Sequence, residues 1–217
     1  MSWRRLCCGG PGEAHDTIAT VLPRGGTSHS HITRDLSSAS ETIQLSELDE
    51  AWAAALADAE QKARMAGRHD VAAYLSLKNS NDLLRKAGVE WLVNSFTVHA
   101  GQANRHGSSI QIAKEATHRF KVGNSTMVGT LLTLKSGVRT LFVEAGWPRT
   151  PTDGIVRGGG LACANIRHLG IKNASDELRL LKSSSGAPVW HRTSRSKSAT
   201  VLEADLRRHL ELLVDKR

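Results

Sequence analysis

Residues 118–170 read HRFKVGNSTMVGTLLTLKSGVRTLFVEAGWPRTPTDGIVRGGGLACANIRHLG, and the middle of this stretch decides the fold. TLLTLK (130–135) and VRTLFVEA (138–145) are rich in β-branched and apolar residues, and Ser136-Gly137 between them has the form of a two-residue hairpin loop. Such a loop sets Leu132 opposite Leu141, Thr130 opposite Val143 and Val128 opposite Ala145, which makes one apolar face. On the other face Thr133 meets Thr140, Leu131 meets Phe142 and Gly129 meets Glu144. A carboxylate thus shares a face with Phe142 and has only a glycine across the ladder, which leaves room for a partner or a ligand.

Working outward, period-two alternation at Ile110 and Ile112, and again at Phe120 and Val122, predicts strand between the helical half of the chain and this hairpin. The turn after Val122 decides where His118 points. A three-residue Gly123-Asn124-Ser125 loop turns it away from Glu144, whereas a two-residue Asn124-Ser125 loop puts both on one face. Further strands are expected over Leu161 to Arg167, Glu177 to Lys182 and Pro188 to His191, separated by turn residues. Toward the N-terminus, Ser46-Glu47-Leu48-Asp49 is a capping-box pattern, and the stripe Leu48, Trp52, Leu56, Ala63 predicts a helix stopped by Gly67. A second helix is expected from about Asp70 to Lys78 and a third from Asn81 or Asp82 to Phe96, with Leu84, Trp91 and Leu92 on one face. Leu202, Leu206, Leu210 and Leu213 predict a final amphipathic helix, too short for an independent coiled coil.

The reading is α+β: N-terminal helices packed on a mostly antiparallel sheet, closed by a C-terminal helix. Residues 1–40, rich in Gly, Ser, Thr and His, are expected to be a disordered leader. A helical segment (41–100) and a β-rich segment (101–191) then form one core, followed by a basic serine-rich linker (192–199) and the C-terminal helix (200–217).

The 217 residues carry 29 Lys and Arg against 21 Asp and Glu. Residues 101–217 hold 19 of those cations and nine of the acids, so the positive balance belongs to the strand half. No apolar run approaches the length of a membrane span, and no hydrophobic segment follows Arg4 and Arg5 as a secretory signal requires. Cys7, Cys8 and Cys163 form neither a disulfide framework nor a spaced zinc set, and a cytoplasmic location is expected. His29 and His31 have no thiol or carboxylate close enough to complete a metal site. No cofactor motif is present: Arg157-Gly158-Gly159-Gly160 lacks the Lys-Ser/Thr of a phosphate loop and the βαβ frame of a dinucleotide fold.

Two groups of residues carry chemical potential. Glu144, His118 and His168 are the candidate catalytic residues, because a carboxylate beside an imidazole can exchange protons with a substrate. Trp147, Arg149, Arg157, Gly158, Gly159 and Gly160 are the candidate ligand-binding residues. Glycine dihedrals can turn successive amides toward an anion, arginines add charge, and an indole offers a stacking surface for a base. The favoured expectation is a binding module that contacts nucleic acid or another polyanion through these basic loops. The alternatives are a small hydrolase or nuclease using Glu144 with a nearby His, and an accessory subunit that meets a protein partner through its C-terminal helix.

Overall fold

The computed structural model describes residues 35–193 and 199–215, with side chains from residue 50 onward except at 172. Most of the expected leader, and the centre of the expected serine-rich linker, lie outside the described residues. Contacts divide the chain between Glu41 and Thr42.

Among the described residues three α-helices and seven strands make an α+β fold, as the sequence predicts. Helix α1 spans Asp35–Met65 and α2 spans His69–Arg105. Strands β1 (Gln111–Val122), β2 (Ser125–Ser136), β3 (Arg139–Trp147), β4 (Ala162–His168), β5 (Ile171–Lys182), β6 (Pro188–Arg192) and β7 (Ala199–Thr200) follow, and α3 (Glu203–Val214) closes the chain. The strands pair antiparallel in sequence order, an up-and-down meander with no crossover. Among the described residues no helix is long and apolar enough to cross a membrane.

Helix α1 runs through Ser46 instead of starting there. The two helices expected over residues 70–96 are one. Asp82 bridges the polar joint with Lys78 at 2.8 Å and Arg85 at 2.7 Å, pairs at helical spacing that favour continuity over a break. Past Phe96 the helix continues because Ala100 is fully buried. It ends where Gly107 takes positive φ and Asn104 clasps Ile110 in both directions, through 2.8 and 2.7 Å hydrogen bonds.

One face of the sheet is covered by α2 and α3. Val89, Leu92, Val93 and Phe96 from α2 and Leu206, Leu210 and Leu213 from α3 meet Leu132, Leu134, Leu141, Val143, Ile166, Leu178, Leu180 and Trp190. The leucine face of α3 is therefore inside this core. Gly88 permits the closest approach of α2: a Cβ there would lie 2.5 Å from Leu180 Cδ2, and its carbonyl accepts the Trp190 indole N–H at 2.8 Å.

The two hairpin turns depart from expectation in the same way. Gly137-Val138, not Ser136-Gly137, is the loop between β2 and β3, because Ser136 pairs Arg139. Gly137 takes φ +58° at the first central position, where a hairpin of this kind needs positive φ, and Val138 projects into solvent. Leu132 consequently faces Val143, Leu134 faces Leu141, Leu131 faces Glu144 and Gly129 faces Gly146. The shift of two residues keeps each side chain on its expected face, because the side-chain period is two. The β1–β2 turn is likewise Gly123-Asn124, with Val122 opposite Ser125.

Candidate functional site

The structure separates the residues singled out in the sequence into three places. The first is the open face of the sheet, opposite the helices. Glu144 stands there with its side chain only 7% exposed, and its Oε1 lies 3.0 Å from His118 Nε2 and 3.0 Å from Arg167 Nη2. Asn165, opposite Glu144 on β4, approaches the other carboxylate oxygen at 3.5 Å. His118 Nδ1 is turned toward the exposed Glu115 carboxylate, 3.5 Å away.

His118 reaches this place through a β-bulge. Glu115 pairs Leu131, but His118 pairs Gly129, so one extra residue is inserted between them. Regular pairing from Glu115 onward would bring His118 opposite Val128, on the helix-covered face. The bulge flips it to the face of Glu144. Thr117 carries the distortion with φ +61°, a backbone region that a β-branched residue rarely enters. Gly129 and Gly146 assist on the neighbouring strands, where a Cβ on Gly129 would lie 2.0 Å from the Ala145 carbonyl oxygen. Only a hydrogen fits at such an approach.

The second place is the buried face. His168 lies there, away from Glu144 and enclosed against α3. His209 Nε2 is 3.2 Å from Asp176 Oδ2, and His209 Nδ1 is 3.0 Å from His168 Nε2. With His209 donating to Asp176, its Nδ1 accepts the N–H of His168, so the chain of hydrogen bonds is satisfied with both rings neutral. Burial is the largest cause pulling both imidazoles below their ordinary range, and the neighbouring His209 pulls His168 further, to about 4. Arg192 joins Asp176 at 2.9 Å to Asp205 at 3.2 Å, and Arg139 Nη1 donates to the Leu212 carbonyl at 2.6 Å. These contacts fasten α3 to the sheet.

The third place holds the loop residues. Asp153 organises the loop after β3 by accepting the Thr150 N–H at 3.0 Å, the Thr150 hydroxyl at 2.8 Å and the Arg119 guanidinium at 2.8 Å. The Thr150 hydroxyl is the largest cause holding its carboxyl below the usual range. Val156 from the same loop packs over Phe120, Met127 and Cys163 on the open face. Burial pushes the Cys163 thiol up to about 11, which removes it as a nucleophile at neutral pH. Arg157 is exposed and starts a short 3-10 turn through Gly159, where Gly158 and Gly159 both take positive φ. A Cβ on Gly158 would meet Arg179 Nη1 at 2.6 Å.

Trp147 is part of the core, 9% exposed, and the Arg149 guanidinium lies 3.9 Å from its ring centroid. This pair forms one wall of a cavity of about 570 Å³ between the loop and helices α1 and α2. Its lining also holds Lys78, 5.4 Å from the ring centroid of Trp52, which is 56% exposed. Arg85 and Lys86 add two further cations, against the acids Glu50 and Asp82. Arg85 Nε also donates to the Leu161 carbonyl at 2.9 Å, which ties the end of the glycine run to the cavity wall. Comparison with protein-family models, curated proteins and solved structures finds no match.

Sequence reasoning placed Trp52 on a packing stripe and passed over Lys78, Arg85 and Lys86, because nothing local says that the helices and the β3 exit loop enclose a space. Arg167 and Asn165 were also missed. Their signal is the alternation Cys163, Asn165, Arg167 on β4, which becomes legible only once the β3–β4 register is known. Among the described residues no cluster of three or more His, Cys, Asp or Glu has metal-holding geometry.

Proposed function

We propose that the chain is a binding module for nucleic acid, which it engages as a single strand through the tryptophan-lined cavity. The observation that carries the reading is the pairing of two indoles with two cations in the lining of one cavity, Trp52 with Lys78 and Trp147 with Arg149. A base inserted between them stacks on Trp52 and on the Arg149 guanidinium, while Lys78, Arg85 and Lys86 meet the adjoining phosphates. The cavity is of the size that holds a nucleotide-scale group. Arg157 and the glycine turn belong to the same loop, where the turn packs against Arg179 and Arg157 adds an exposed cation. The excess of Lys and Arg over residues 101–217 favours association with a polyanion.

Fluorescence anisotropy with single-stranded and duplex oligonucleotides across a salt series tests the reading. Affinity for the single strand falls steeply with salt, and Lys78→Ala or Arg157→Ala lowers the slope by about one counterion each. Trp52→Ala weakens binding by about 1 to 3 kcal/mol with the slope unchanged. Absence of binding at low salt, or binding indifferent to all three substitutions, refutes the reading.

A further inference from the structure

We propose that the open face of the sheet carries a second site, in which His118 acts as the general base for metal-independent cleavage of single-stranded RNA. The inference rests on the nucleic-acid reading for its substrate class and on a different surface for its chemistry. The bulge at Thr117 supplies its first support, since a strained residue is used where a regular strand would send His118 to the buried face. Its effect is to bring an imidazole onto a buried carboxylate at 3.0 Å. Glu144 orients the ring through Nε2; in the neutral tautomer that donates there, Nδ1 carries the lone pair, and His118 is partly exposed.

The flanking groups fit a phosphodiester. Arg167 shares Glu144 Oε1 through one nitrogen, yet its side chain is 55% exposed, so the remaining donors of its fork can take phosphate oxygens. It lies 6.0 Å from the centroid of Phe142, a half-buried ring on the same face that offers a base a stacking surface. In the step proposed, His118 Nδ1 takes the proton of a ribose 2′-hydroxyl. The 2′-oxygen bonds to the adjacent phosphorus as the bond from phosphorus to the 5′-oxygen breaks, giving a 2′,3′-cyclic phosphate and a 5′-hydroxyl whose proton comes from water. No atom is oxidised or reduced. Glu115, 3.5 Å from Nδ1, stabilises the imidazolium that forms, and Glu144 is a positioning residue that holds the tautomer.

The test incubates the full chain with a single-stranded RNA oligonucleotide and its DNA counterpart in the presence of EDTA. RNA is cut to products ending in 2′,3′-cyclic phosphate and DNA is left intact. His118→Gln, purified identically, loses about a hundredfold or more in rate with its melting curve unchanged, whereas His191→Gln retains the rate. Glu144→Gln displaces the pH–rate profile, which a purely structural role would not do. No cleavage above buffer, or cleavage equal in wild type and His118→Gln, overturns the proposal. Oligonucleotide binding measured on the same samples separates this failure from failure of the cavity reading.

Discussion

Acid should loosen the C-terminal helix through the His168–His209 pair, by an amount that follows from the structure. His168 is 6% exposed, and His209, at 2%, takes its hydrogen bond. Burial and the neighbouring ring lower His168 from 6.5 to about 4, and His209 moves in the same direction. A group that binds its proton less readily when folded adds no pH dependence above 6.5, where both states are neutral. Between 6.5 and about 4 the unfolded chain takes up a proton that the folded chain refuses, so stability falls with pH across that window. The drop amounts to about 3 kcal/mol for His168 alone. Protonating His209 at Nδ1 also sets a donor against the N–H of His168, and the charges facing the pair are Asp176 from β5, Arg139 from β3, Arg192 from β6 and Arg208 from α3. Urea unfolding of wild type and His168→Gln at pH 7.5, 6, 5 and 4 measures the effect. The wild type loses more stability than the variant on going down the series, by a margin approaching about 3 kcal/mol at the lowest pH. Parallel curves would refute the assignment of that loss to the buried pair.

Core truncation tests the β2–β3 hairpin. Leu141→Ala, at a fully buried position opposite Leu134, costs about 2 to 5 kcal/mol, and Lys135→Ala, which is exposed, stays within about 0.5 kcal/mol; equal effects in denaturant titrations would contradict the assignment of Leu141 to the buried face. Gly129→Ala drives a methyl group into the Ala145 carbonyl, so its melting temperature falls well below that of Gly137→Asn, a change to a residue that tolerates positive φ.

The fold was legible where local chemistry repeats. Alternation at Leu132, Leu134, Leu141 and Val143 assigns the buried face, and face assignment survives a slip of two residues. Exact pairing did not follow, because two readings of Ser136-Gly137-Val138 differ only in which central position the glycine takes. The joint at Asn79 to Asp82 looks like a helix end until the ion pairs of Asp82 with Lys78 and Arg85 are seen to span it. His118 was legible as chemistry and not as geometry. Nothing in Glu115-Ala116-Thr117 announces a bulge, since threonine has no local preference for the left-handed region, and only the surrounding sheet can hold it there. His168 belonged on the buried face by its spacing from Ile166, but its partners His209 and Asp176 come from α3 and β5, which only tertiary packing brings together. Trp147 and Arg149 adjoin in sequence, whereas Trp52 and Lys78 reach the same cavity from α1 and α2.

Photocrosslinking tests the central claim, that a base enters between Trp52 and Arg149, most directly. A single-stranded oligonucleotide carrying 5-iodouracil is bound at low salt, irradiated, and the adduct mapped by peptide mass spectrometry. The predicted adduct falls on Trp52 or on the peptide containing Trp147 and Arg149, and it is lost when Trp52→Ala and Arg149→Ala are combined. Adducts confined to the open face around Phe142, or unchanged by the double substitution, would contradict the cavity as the binding site.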